Sequence, residues 1–247
     1  MKKFILISFL IFGFIGQVFA QDNDKMFSLG VRGTINGSWI GELPTSTEEV
    51  ENINRDDLKI GFVGGVWTQF KVLGGFYIQP EVTISQVGGS YSYKFNVDNG
   101  GQSPATLFEN AKNITLTNLD FPLSLGYRLP LGPIGLNLNI GGIFSTVLSA
   151  KETYQQESFN GLVSLGREKA ERDIKDKINN FQAALQGGIG LDFSRIMLNF
   201  NIQQNLTQVY ESQTDTINLS PEELSLQADR QKQRLLSAQV SIGVRLY

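Results

Sequence analysis

From Phe27 to the C-terminus the chain alternates apolar and polar side chains, and its polar face is one that no water-soluble core would accept. In the first segment Phe27, Leu29, Val31 and Ile35 share a face, opposed by Ser28, Arg32, Thr34 and Asn36. Around 58–72, Ile60, Phe62, Val66, Phe70 and Val72 align; around 76–95, Phe76, Ile78, Val82 and Ile84 oppose Gln79, Glu81, Thr83 and Ser85. Around 113–129, Leu119, Phe121, Leu123, Leu125 and Leu129 oppose Asn118, Asp120, Ser124 and Arg128. Around 134–149, Ile134, Leu136, Leu138, Ile140 and Phe144 oppose Asn137, Asn139 and Ser145. Phe181 to Phe193 sets Leu185, Ile189 and Leu191 against Gln182, Gln186 and Asp192. Ile196 to Asn205 sets Leu198, Phe200 and Ile202 against Asn199, Asn201 and Gln203. Leu236 to Leu246 sets Val240, Ile242 and Val244 against Ser237, Gln239, Ser241 and Arg245. The period of two defines eight strands.

The connections fix the kind of sheet. They span 41–57, 73–75, 96–112, 130–133, 150–180, 194–195 and 208–233, so long and short alternate throughout. Strands with apolar faces outward, short turns at one end and long loops at the other fit a barrel in an outer membrane. The spacing predicts an all-β, eight-stranded antiparallel up-and-down transmembrane barrel over 26–247, with short periplasmic turns and four long extracellular loops. Each segment supplies the roughly 9–11 residues a spanning strand needs. A soluble periplasmic barrel binding an apolar ligand conflicts with the amides and charges of the inner face. Phe70, Phe76, Tyr77, Tyr127, Phe193 and Tyr247 fall near the short turns, and Trp39, Tyr91, Tyr93, Phe144 and Phe181 toward the long loops, in the pattern of two interfacial girdles.

The N-terminus suits export into that membrane. Lys2 and Lys3 precede the apolar run Phe4 to Ile15, and Ala20 closes a small-residue cleavage site before Gln21. Residues 1–20 are predicted to be a cleaved signal peptide and 21–25 a short linker. Removing the leader leaves 19 basic and 24 acidic side chains. That small negative charge, without a basic stripe, gives no footprint for nucleic acid.

Three stretches resemble the PorT-like outer-membrane barrels of Bacteroidetes: Gly61-Phe62-Val63-Gly64-Gly65 with Phe76-Tyr77-Ile78-Gln79-Pro80-Glu81-Val82; Leu119-Asp120-Phe121-Pro122-Leu123-Ser124-Leu125-Gly126-Tyr127; and the Gly-rich sixth strand with Gly243-Val244-Arg245-Leu246-Tyr247. The family name derives from a component linked to type IX secretion, and most members carry no assigned activity. The resemblance implies that terminal Tyr247 is the insertion signal read by the barrel-insertion machinery. Tyr247 stands out of phase with Val240, Ile242 and Val244.

Composition narrows the chemistry further. The chain has no cysteine and no histidine, which removes Cys/His metal sites, disulfides, thiol catalysis and every imidazole base. The membrane-barrel enzymes that rely on histidine are excluded with them. Glu81 and Asp120 are a carboxylate pair, but inside a barrel they have no route to a substrate, so no catalytic residue, cofactor or metal site is assigned. The loop Asn96 to Gly101 begins like a calcium loop but carries Leu107 where the twelfth-position glutamate belongs. A lumen of eight strands is just wide enough to be filled by side chains, and buried charges must pair; Arg32, Glu81, Asp120 and Arg245 are the expected lumen network. The alternative is a narrow porin passing small solutes. The loops are the remaining surface for function, either docking an envelope partner, as an accessory to a larger envelope or secretion assembly, or standing as solvated structure. Residues 167–178 carry opposite charges at helical spacing and predict a short exposed helix, and Ser220-Pro221-Glu222-Glu223 begins a second one through about Arg230.

Overall fold

A computed structural model describes residues 26–40, 50–55, 58–97, 106–160, 163–211 and 233–247. The predicted leader and linker, and the helix beginning at Ser220, lie outside them. The strands are β1 (Phe27–Ile40), β2 (Val50–Arg55), β3 (Lys59–Lys71), β4 (Phe76–Val97), β5 (Thr106–Leu131), β6 (Ile134–Asn160), β7 (Val163–Asp173), β8 (Phe181–Phe193), β9 (Ile196–Asn205) and β10 (Leu235–Arg245). Eight of them close on themselves in the order β1-β3-β4-β5-β6-β8-β9-β10, with every neighbouring pair antiparallel and β10 returning to β1. Closure gives every barrel strand a partner on both sides. A membrane requires this, because hydrocarbon offers no hydrogen bond to an unpaired backbone group.

The faces follow the alternation. Ile35, Ile60, Phe62, Ile140, Val240 and Ile242 are each more than half exposed, although they are among the most apolar side chains in the chain. Asn36, Asn137, Asp192 and Ser241 are essentially inaccessible. This inverted polarity is the one a barrel in lipid requires. The short connections are Val72–Gly75, Gly132–Pro133 and Ser194–Arg195. In the first, Gly74 and Gly75 take φ of 59° and 92°, a left-handed pair that a Cβ would strain.

At the other end the structure departs from the sequence expectation. Much of what reads as loop in 96–112 and 150–180 is strand. β4, β5 and β6 run far past the length needed to span, and β4 and β5 stay paired out to Val97 and Thr106. β5 and β6 stay paired out to Thr106 and Asn160, with one register shift between Thr117 and Asn118. β2 joins the outer side of β4, and β7 joins the outer side of β6. The barrel wall therefore continues as a raised five-stranded sheet, β2-β4-β5-β6-β7. Alternation fades there because, outside the lipid, neither face has to be apolar.

The helix expected over 167–178 is absent. Its first half is β7, followed by a single 3-10 turn at Lys175–Lys177. The charge spacing that suits a helix suits a strand equally well here, because β6 presents complementary partners: Lys151 lies opposite Asp173 and Glu152 opposite Arg172. Ile174 and Ile178, the two large apolar residues of that run, point into the barrel mouth and are buried.

An arginine at the lipid-facing midpoint of β6 tests the inverted polarity. Ile140→Arg is expected to cost about 2–4 kcal/mol, the penalty for a cation near the bilayer midplane. Urea unfolding of the protein refolded in lipid vesicles measures it, and an unchanged midpoint would contradict the assigned face.

Candidate functional site

The lumen is filled at three levels. In its middle, Arg32 on β1 meets Glu81 on β4 through two contacts, Nε to Oε2 at 2.9 Å and Nη1 to Oε1 at 3.2 Å. Gln79 donates from Nε2 to Glu81 Oε1 at 2.9 Å, Gln69 donates to Gln79 at 3.5 Å, and Arg245 donates to Gln69 at 3.5 Å. The chain ends on Asp192, which Arg245 and Arg128 approach at 3.4 and 3.3 Å and to which Asn137 donates. One polar network thus descends from the middle of the barrel to its periplasmic mouth.

Of the four residues expected in that network, Arg32, Glu81 and Arg245 belong to it. Asp120 is buried on β5 and stands opposite Ser145 of β6 in the strand register, outside this chain of bonds. Sequence reasoning placed Asp192 and Arg128 on the polar face but did not single out Asp192 as the hub at the mouth. Asp192 stands near the end of β8 and Arg245 near the end of β10, with β9 between them, so the alternation shows a shared face but not their meeting. The interior leaves a cavity of about 10 Å³ among Arg32, Glu81, Gln186, Asn199 and Asn201, at the lower limit for a single water.

The extracellular mouth is closed by apolar packing that the alternation did not foretell. Inward-facing Ile40, Val87, Leu116, Val147 and Leu235 pack with Ile174, Ile178 and Val209, which fold in from the segments before β8 and after β9. Backbone bonds hold that plug: Ile174 N–H donates to Ala150 at 3.0 Å, Asn179 N–H to Val209 at 3.0 Å, and Val209 N–H to Gln233 at 2.9 Å. The periplasmic mouth opens instead as a cup of about 730 Å³, lined by Lys71, Leu73, Tyr77, Tyr127, Arg128 and Pro130.

Tyr77 departs from the girdle expected at this end, and Tyr247 joins it by an unexpected route. Tyr77 faces the lumen and is buried, as the phase of Phe76 and Ile78 demands. Tyr247 faces outward in spite of its phase. Leu246 and Tyr247 both donate their N–H to Leu29 O, at 2.8 and 3.2 Å, the two-against-one pattern of a bulge. That extra residue turns the tyrosine out beside Phe27, with ring centroids 6.2 Å apart. Trp67 also lies inside, its Nε1–H donating to Val31 O at 3.3 Å and its ring 6.0 Å from the Arg245 guanidinium. Gly30, on the neighbouring strand, leaves the room its indole occupies.

On the raised sheet, Lys151 Nζ meets Glu171 Oε1 at 2.7 Å, both half exposed. The hydrogen bond and charge of Glu171 raise the Lys151 ammonium above its ordinary value. Lys151 in turn holds the Glu171 carboxyl below its own. Among the described residues no group of three or more acidic, histidine or cysteine side chains is placed to hold a metal.

A closed antiparallel barrel with lipid-facing apolar side chains, a polar interior and asymmetric ends is a bacterial outer-membrane β-barrel. The chain belongs to the family described as outer membrane protein beta-barrel domain, which matches residues 19–211. The search of curated proteins found no match. Similar solved structures include Ail, the attachment invasion locus protein of Yersinia pestis, at 9% identity and a TM-score of 0.38, covering 90% of this chain and 99% of that one. Neisserial surface protein A is similar at 12% identity and 0.34, covering 90% and 98%. The outer membrane protease OmpT of Escherichia coli is similar at 9% and 0.31, covering 93% and 99%.

Removing one member of the central ion pair tests the network. Arg32→Met leaves Glu81 buried without its cation and is expected to destabilise the barrel by about 3–5 kcal/mol. Replacing both, as Arg32→Met with Glu81→Leu, should recover most of that loss. Thermal unfolding of the refolded variants reads both, and an unchanged single variant would mean that the pair carries no weight.

Proposed function

We propose that the protein is a closed structural barrel that serves protein interaction on the extracellular side, as an accessory to a larger envelope assembly. The observation that carries this reading is the filled interior beneath a raised sheet. Arg32 pairs with Glu81 and Asp192 with Arg128 and Arg245 in the lumen, apolar residues close its outer mouth, and the wall continues as β-structure beyond the membrane. A narrow lumen normally fills with its own side chains, and a rigid scaffold presents recognition elements at its loop end. Membership of the PorT-like group, the use of Tyr247 by the insertion machinery and a link to secretion are parts of the same proposal, supported by the stretches that carry the resemblance; the export leader is part of it too, supported by Lys2, Lys3, the apolar run Phe4 to Ile15 and Ala20.

The reading assigns no catalytic role. Glu81, one of the two carboxylates able to act as acid or base, is tied to Arg32 and Gln79 inside the barrel. Ion conductance in a planar bilayer tests the proposal, using protein whose folding is verified by a gel-mobility difference between unboiled and boiled samples. The expected outcome is silence. A steady open conductance would overturn the closed-barrel reading in favour of a narrow porin.

A further inference from the structure

The outer edge of the raised sheet carries a charge pattern that complements its own reversal. Over β7 the sequence reads Arg167, Glu168, Lys169, Ala170, Glu171, Arg172, Asp173. Laid antiparallel on a second copy about Ala170, it places Arg167 opposite Asp173, Glu168 opposite Arg172 and Lys169 opposite Glu171, with Ala170 meeting Ala170. Every charge then faces its opposite, and a two-fold axis repeats each pair. Among the described residues β7 pairs only with β6, and Glu168 through Asp173 are exposed. Charged edge strands ordinarily prevent edge-to-edge pairing; this edge discourages arbitrary strands while matching itself. In its own molecule Glu168 lies opposite Gln156, and Lys169 opposite Gln155, so the pairing within the sheet does not account for these two charges.

We propose that β7 is a self-association edge that joins two copies of this chain standing in facing membranes. The geometry of a sheet dictates the facing arrangement. Two strands paired antiparallel are related by a two-fold axis perpendicular to their sheet. This sheet continues the barrel wall, whose normal lies in the membrane plane, so the axis inverts the second barrel relative to the first. The dimensions allow it. β6 leaves its barrel neighbour at Thr146, opposite Phe181, and Ala170 lies opposite Tyr154. That pivot therefore stands roughly 26 Å along the strand beyond the rim. The tip at Asn160 extends roughly 20 Å beyond the pivot, so each sheet ends short of the partner's rim.

Each cross-strand charge pair is weak and screened by salt, so the contact gains its strength from many copies on apposed surfaces. This inference rests on the interaction reading above and names its partner. The test uses the full-length protein in phosphatidylcholine/phosphatidylglycerol vesicles, with clustering followed by light scattering. Wild-type vesicles should cluster at low salt and disperse at high salt. K169E and E171K vesicles, each meeting like charges across the contact, should stay dispersed with the barrel folded by gel mobility. Mixing the two populations pairs Glu with Lys at both positions and should restore clustering. The chain has no cysteine, so A170C supplies a single reporter, expected to cross-link copies from differently labelled vesicles. Dispersed wild-type vesicles, clustering that survives K169E, a mixture that stays dispersed, or A170C cross-links confined to one vesicle would each overturn the proposal. A barrel that is silent in conductance yet fails to cluster leaves the interaction reading with another partner; a conducting barrel overturns that reading itself.

Discussion

Lipid leaves a backbone amide no partner but another amide, and the architecture follows from that. With water excluded, each N–H and C=O within the bilayer must be satisfied inside the sheet, so β10 must find β1 and the sheet must close. Closure at eight strands then sets the lumen width, and that width decides what the inner side chains can do. They are too crowded to frame a water-filled path and too polar to form a hydrophobic core. The result is a chain of hydrogen bonds and ion pairs running from Arg32 and Glu81 down to Asp192.

That interior divides the molecule by environment. Its middle and lower levels are held by charge-assisted bonds in a shielded setting, where partners lost are costly. Its outer mouth is held by packing among Ile40, Leu116, Ile174, Ile178 and Val209, and beyond it the sheet stands in water. The chain thus changes its stabilising interaction twice along the barrel axis while keeping the same backbone ladder. The part least constrained by lipid is the part with freedom to vary its side chains, and it is there that the exposed charges collect.

The barrel was legible in the sequence because lipid keeps the outward positions of each spanning strand largely apolar, and the inner face is largely polar, with Trp67 and Tyr77 among the departures. Ile35 with Asn36, and Ile140 with Asn139, can be read as outside and inside from spacing alone. The raised sheet was not legible, because in water its two faces are equivalent; Lys151 to Asn160 is ordered by pairing, not by a hydrophobic face. Charge spacing over Arg167 to Ile178 misled for the same reason, fitting a helix and a strand alike. Within the lumen, alternation gave the members but not the partners: Arg32 and Glu81 meet, while Asp120 stands opposite Ser145 in the strand register. Tyr247 stands out of phase with Val240, Ile242 and Val244, and the bulge that turns it outward leaves no mark in the sequence.

Trp67 occupies the seam where the last strand meets the first. Its indole bonds to Val31 on β1 and lies beside Gly30, and the Arg245 side chain of β10 comes over its ring. Seating this ring and forming the β1–β10 seam are therefore one packing event. With only two tryptophans in the chain, the molecule carries an optical clock for its own completion. Once Trp39 is replaced, indole emission reports on whether the β1–β10 seam is formed around Trp67.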